Sequence, residues 1–221
     1  METTAGAEVF QKFQTAALNS PVTLGALARS RYLIDPKLLP IYLSRYKFVS
    51  KMVSKDDHVL EIGCADGFAA AIVRQNCRLI DLSDIDKNFL SECRERNPSS
   101  NVFCHDFVAA PSSSKYDVIY SLDVIEHIEA NSTLRFLVNT RDSLAENGTF
   151  ILGTPSLESQ VWASDESRAG HINCRSQKEW LTVLHGVYGR IFPFSMNDEV
   201  VHTGYGAMSH YLLFLCVNPK N

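Results

Sequence analysis

From residue 58 onward the chain alternates short apolar runs with stretches of helical period. Val59, Leu60 and Ile62 read as a buried strand, and Phe68 opens a helix over residues 68–75. Residues 78–86 give a second strand and Lys87–Arg96 the helix behind it. Residues 101–104 and Tyr116–Leu122 are the third and fourth strands. An amphipathic helix over 131–144 places Leu134, Leu137, Val138 and Leu144 on one side, with Asn147 and Gly148 as its stop. Residues 149–155 are the fifth strand, and 189–194 and 210–217 the last two. Between them, Ser176 with Glu179 three positions on forms a capping box for a helix over 176–188. Two polar stretches, 156–173 and 196–208, read as long loops at strand ends, where ligand groups usually gather. Upstream, helices are expected over 8–18 and 43–53, separated by Pro21, Pro36 and Pro40. Alternating strand and helix predict an α/β fold, a doubly wound and mostly parallel sheet. Residues 1–57 are then a helical cap on a domain spanning 58–221.

Composition narrows the class. At 221 residues, with 45% hydrophobic content, the chain suits one domain with a full core. A net charge of −4 provides no global attraction for nucleic acid. The six cysteines lie apart with no CxxC pair, and read as reduced thiols of a cytoplasmic protein. No apolar run approaches 18 residues and no signal peptide is evident, so neither a membrane span nor export is expected.

The stretch 59–67, Val-Leu-Glu-Ile-Gly-Cys-Ala-Asp-Gly, carries the first chemistry. A strand, a turn with glycines at 63 and 67, and a helix start form a nucleotide-binding crevice, because backbone without Cβ can approach a ligand. The dinucleotide pattern G-x-G-x-x-G fits poorly, since Ala65 and Phe68 fall where its later glycines belong. An acidic side chain about 20 residues after the first glycine binds ribose hydroxyls in such folds. Asp84 stands 21 positions after Gly63 and Asp81 stands 18 after it; Asp84 also suits a helix N-cap.

With Glu61 before it, the Gly63-Cys64-Ala65-Asp66-Gly67 string resembles motif I of class I S-adenosylmethionine-dependent methyltransferases, Ala65 replacing the middle glycine. Further segments are similar to the same family in the same order: Asp84-Ile85, Asp106-Phe107, the run from Tyr116 through Leu122 to His127, and the strand ending at Pro155. The resemblance implies a seven-stranded sheet with the last strand antiparallel. It implies S-adenosylmethionine as cofactor and S-adenosylhomocysteine as product. It also places Glu61, Gly63, Cys64, Ala65, Gly67, Asp84, Ile85, Asp106, Phe107 and Leu122 around the cofactor.

In-line methyl transfer from a sulfonium needs mainly alignment, with a general base where the acceptor is a hydroxyl. His127 and His171 are the candidate catalytic bases. Asp123-x-x-Glu126-His127 is also similar to the Glu-x-x-Glu-His of metal-dependent O-methyltransferases, and with His171 would offer two carboxylates and two imidazoles to Mg²⁺ or Mn²⁺. No metal is expected, the four-residue set being the alternative. The tail 194–204 resembles bacterial small-molecule methyltransferases. The expected acceptor is a small molecule, a sugar or surface-polysaccharide precursor methylated on oxygen. The alternatives are a metal-dependent RNA 2′-O-methyltransferase and a non-catalytic, cofactor-binding regulatory subunit.

Overall fold

The computed structural model describes residues 5–19 and 21–220. Three helices come first: α1 (Ala5–Leu18), α2 (Ala26–Ile34) and α3 (Leu38–Ser50). Then follow β1 (His58–Ile62), α4 (Ala70–Arg74), β2 (Leu79–Asp84), α5 (Lys87–Arg96), β3 (Val102–Cys104) and β4 (Tyr116–Leu122). The second half holds α6 (Thr133–Asp142), β5 (Leu144–Pro155), α7 (Asp165–Gly170), α8 (Gln177–His185), β6 (Tyr188–Asn197), β7 (Val200–His202) and β8 (Tyr211–Pro219). None of the described helices is long and apolar enough to cross a membrane.

The strands form one sheet in the order β3-β2-β1-β4-β5-β8-β6-β7. β1 to β5 run parallel, and β8 inserts antiparallel between β5 and β6. Among the described residues the sheet has eight strands where seven were expected. The additional one is β7, which folds back on β6 within the stretch read as a polar loop, with Asp198 at φ 48° in the turn. Successive strand residues point to opposite faces, and both faces are covered. Val59, Val118 and Ile151 pack with Val49, Val73 and Leu90 from α3, α4 and α5. Leu60, Ile119 and Phe150 pack on the other side with Phe136 and Leu137 of α6 and Trp180 of α8. Side chains of this size, fully buried, contribute about 1.5–3 kcal/mol each.

Four local expectations are corrected. α2 was not foreseen, since only Ala28 of it is buried and prolines flank it. α3 begins at Leu38, before Pro40, because a first turn tolerates a missing N–H. Helix α6 ends at Asp142, and Asn147 and Gly148 lie inside β5 instead of stopping the helix. There the partner of Tyr116 is Leu144 and that of Val118 is Thr149, so residues 145–148 bulge outward with Asn147 at φ 62°. Finally, 156–173 is a structured strap: a 3₁₀ turn at Glu158–Trp162, then α7, whose N-cap Ser164 accepts from the Ser167 amide.

The strand order reverses between β1 and β4. Their carboxyl ends therefore diverge into helices on opposite faces and leave a crevice, the place where such sheets bind ligands.

Candidate active site

The crevice is shaped by the turn after β1. The Gly63 and Cys64 amides both donate to the Ser83 carbonyl, at 2.8 and 3.0 Å. Gly63, Ala65 and Gly67 all adopt positive φ, at 83°, 46° and 66°. Ala65 holds its left-handed conformation at a cost of roughly 1 kcal/mol, offset locally by its amide donating to Asp84 Oδ2 at 2.8 Å. Asp84 Oδ1 accepts from the Asp86 amide, also at 2.8 Å. Each carboxylate oxygen thus has one fixed donor and a lone pair to spare.

A cavity of about 830 Å³ opens over this turn. Of the cofactor residues expected from sequence, Gly63, Ala65, Asp84, Ile85, Asp106, Phe107 and Leu122 line it. Glu61, Cys64 and Gly67 do not reach its wall. Glu61 is buried beneath it, accepting from the Tyr46 and Tyr120 hydroxyls at 2.8 and 2.7 Å, and burial pushes its pKa up to about 7. Cys64 packs its sulfur 3.8 Å from that of Cys93. Gly67 is backed by Asn97, whose Nδ2 lies 2.4 Å from where a Cβ would sit. Asp81, the competitor for the ribose role, turns instead to His58 and Tyr116. His105, not singled out from sequence, lines the cavity beside Phe107, its ring 4.5 Å from the phenyl ring.

The far end of the cavity is polar. Asp123 leaves β4 at φ 57°, and its carboxylate pairs with Arg45 of α3 and, at 3.8 Å, with Arg31 of α2. Arg45 lies 3.9 Å over the Tyr211 ring and Arg31 lies 4.2 Å over Tyr42. Sequence reasoning missed both arginines. The signal for Arg45 was its place on the apolar stripe Tyr42-Tyr46-Val49 of α3, where a charge is costly without a partner.

Glu126 is fully buried, with Oε2 accepting from Thr154 at 3.2 Å and Oε1 without a partner among the described residues. Burial first, and then the Asp123 charge, push its pKa up to about 8. In the unfolded chain this carboxyl ionises near the ordinary 4.5, so its contribution to stability falls as pH rises from there to about 8. Glu126→Gln should remove that slope, gaining Tm over the parent at pH 8.5. The gain should reach several degrees, since about 1 kcal/mol moves Tm by about 2–4 °C in a domain of this size. Parallel melting curves in Glu126→Gln and parent would refute the burial argument.

His127 and His171 face each other with ring centroids 5.2 Å apart. His127 Nδ1 is 2.9 Å from the Gly170 carbonyl, and His171 Nδ1 is 2.9 Å from Gln160 Oε1. Both partners are oxygen acceptors, so each Nδ1 carries the proton and each Nε2 keeps its lone pair. Burial and the neighbouring His127 lower the His171 pKa. Ligand atoms of Glu126, His127 and His171 all lie within 4.8 Å of one another, a set able to hold a cation. Asp123 is not part of that set, and its Oδ2 is paired with Arg45 and Arg31.

Residues 36–187 match the family model described as "Methyltransferase domain". The chain is 32% identical over 112 residues to the sphingolipid C9-methyltransferase of Candida albicans (strain SC5314 / ATCC MYA-2876). That match covers 45% of this chain and 22% of the fungal protein, so the chain spans less than a quarter of that relative. Among solved structures, a TehB-like SAM-dependent methyltransferase from Corynebacterium glutamicum ATCC 13032 Kitasato superposes with a TM-score of 0.63 at 14% identity, over 80% of this chain and 88% of that one. The N-methyltransferase NodS from Bradyrhizobium japonicum WM9, in complex with S-adenosyl-L-homocysteine, gives 0.61 at 17% identity, over 82% and 88%. These last two share the fold. Together with the matched domain and the crevice built by the Gly63 turn and Asp84, the comparisons place this chain in the class I S-adenosylmethionine-dependent methyltransferases.

Proposed function

We propose that this chain methylates a hydroxyl of a small-molecule acceptor, with His127 or His171 as general base. The observation that carries the reading is the pair of imidazoles fixed through Nδ1, each lining the cavity with an unblocked Nε2. The cavity of about 830 Å³ lies toward the upper end of the roughly 300–1,000 Å³ of ligand sites, and its polar end extends past the turn where the cofactor would lie. On this reading residues 1–57 form a cap over a catalytic unit spanning 58–221, and Leu27, Arg31, Tyr42 and Arg45 supply one wall of the site.

The cofactor brings an activated methyl group; the protein's task is alignment and proton removal. Asp84 fits ribose hydroxyls through its spare lone pairs, and Ile85, 66% exposed at the rim, offers an apolar face to a flat ring. Asp106 and Phe107 would flank the base, with the Gly63–Ala65 backbone and Leu122 along the amino-acid portion. Asp84→Ala should weaken S-adenosylhomocysteine binding by about 1–3 kcal/mol, the cost of hydroxyls left without a charged acceptor. Calorimetry showing unchanged affinity would remove Asp84 from the site.

The acceptor class we favour is a polyol of the sugar or surface-polysaccharide-precursor kind, because the far end of the cavity is lined by Arg31, Arg45, Glu126 and two histidines. The fungal relative's name makes a lipid the competitor. Labelled S-adenosylmethionine offered with polar metabolites, a lipid extract or RNA separates these. Label entering the polar pool supports the reading, and label entering lipid or RNA alone, or none of the three, overturns it. A second reading, favoured by the 4.8 Å grouping of Glu126, His127 and His171, adds a divalent cation that orients the acceptor oxygen.

A further inference from the structure

We propose that Asp66 is a positioning residue that ties helix α2 to the cofactor turn, so that binding at the turn and docking of α2 are one event. The carboxylate belongs to the Gly63–Gly67 turn and is 1% exposed. Its Oδ1 accepts from the Phe68 amide at 2.9 Å, two residues before α4 begins. Its Oδ2 accepts from the Leu27 amide at 2.7 Å, in the first turn of α2 and 39 residues away in sequence. Helix α2 has no cap of its own: its N-cap is Gly25, which has no side chain to accept from the free amides. Asp66 supplies that acceptor from another part of the chain, where a negative charge also meets the positive end of the helix dipole.

Three further observations make this contact more than ordinary capping. Gly25 is shaped for it. A Cβ there would lie 2.3 Å from Asp66 Oδ1 and 2.7 Å from Oδ2, closer than any side chain tolerates. Helix α2 buries little of its own surface, since Ala28 is its one fully buried residue while Tyr32, Leu33 and Ile34 are exposed. And α2 lines the cavity: Leu27 and Arg31, four residues apart and hence on one helical face, are both in its wall. Arg31 reaches Asp123 at the polar end and stacks on Tyr42, so a shift of α2 disturbs the polar end of the site. The cofactor turn and a helix that lines the same cavity therefore share one carboxylate.

The test is a double-variant cycle read by S-adenosylhomocysteine titration. Gly25→Ala breaks the contact from the α2 side, its Cβ displacing the Asp66 carboxylate from the Leu27 amide, and Asp66→Ala removes it from the turn side. Each is expected to weaken S-adenosylhomocysteine about tenfold, the size of a lost helix cap. The double variant should be no weaker than the weaker single, because both changes break the same contact. Hydrogen exchange supplies a readout that a merely structural role would not move. Amides of residues 26–34 should gain protection when S-adenosylhomocysteine binds the parent, and should gain none in either variant. Unchanged affinity in folded Gly25→Ala, losses that multiply in the double variant, or α2 protection that persists in Gly25→Ala would each overturn the proposal. Should Asp66→Ala fail to fold, the Gly25→Ala titration and exchange decide it alone.

Discussion

Gly63→Val should give a folded protein with no measurable affinity for S-adenosylhomocysteine. Two effects act together. At φ 83° the backbone sits where a β-branched residue is strongly disfavoured. A Cβ at this position would also stand 2.2 Å from Cγ2 of Val124. Val124 joins Asp123 to the 3₁₀ turn that carries Glu126 and His127. Relief of the collision must therefore move the turn, or displace the wall that bears the polar groups, and either change closes the floor of the crevice. The loss should exceed about 100-fold, since strain of 1–2 kcal/mol adds to a misplaced binding surface. Even Gly63→Ala should show much of it. Circular dichroism checks the fold and calorimetry the affinity. Parent-like binding by folded Gly63→Val would show that the turn does not face the ligand.

The second large effect concerns the histidines. The variant lacking the true base should keep its S-adenosylhomocysteine affinity and lose about 10²–10⁴-fold in methyl transfer. The pH profile identifies which ring acts. His171 is held below the ordinary 6.5 by burial and by His127, so as base it stays neutral to lower pH. The acid limb of the rate should then fall below that value. A cation held by Glu126, His127 and His171 predicts a different pattern, with activity lost to chelator, restored by Mg²⁺ or Mn²⁺, and weaker at acid pH because ligating imidazole must be neutral. A doubly substituted variant with full activity leaves alignment alone as the source of rate.

The parallel part of the fold was legible because both faces of the sheet are buried and each strand is a short apolar run between turn signals. Tyr116–Leu122 and Lys87–Arg96 fall where the pattern places them, and the Ser176/Glu179 capping box forms as read. Asn147 and Gly148 misled because a left-handed residue followed by glycine serves a helix stop and a strand bulge equally well. Deciding between them needed the register of β4 against β5, which is a tertiary fact. In the site, Asp84 was suggested by its spacing from Gly63, while Ile85, Asp106, Phe107 and Leu122 came from the family resemblance; all five line the cavity. Arg45 was not legible, because its partner Asp123 lies 78 positions further on. The contact between Asp66 and α2 was invisible for the same reason, since Gly25 looks like an ordinary loop residue and Leu27 lies 39 positions from Asp66.

The sheet begins on β3 and ends on β7, each only three residues long. A long flat border would offer a row of free amides and carbonyls as a template for strands from other molecules. Here the order of strands sets the two shortest at the borders and keeps β5, at 12 residues, in the interior. The same topology that opens the crevice thus protects the molecule against fibrillar growth. A designer grafting new loops at the crevice should keep both borders short.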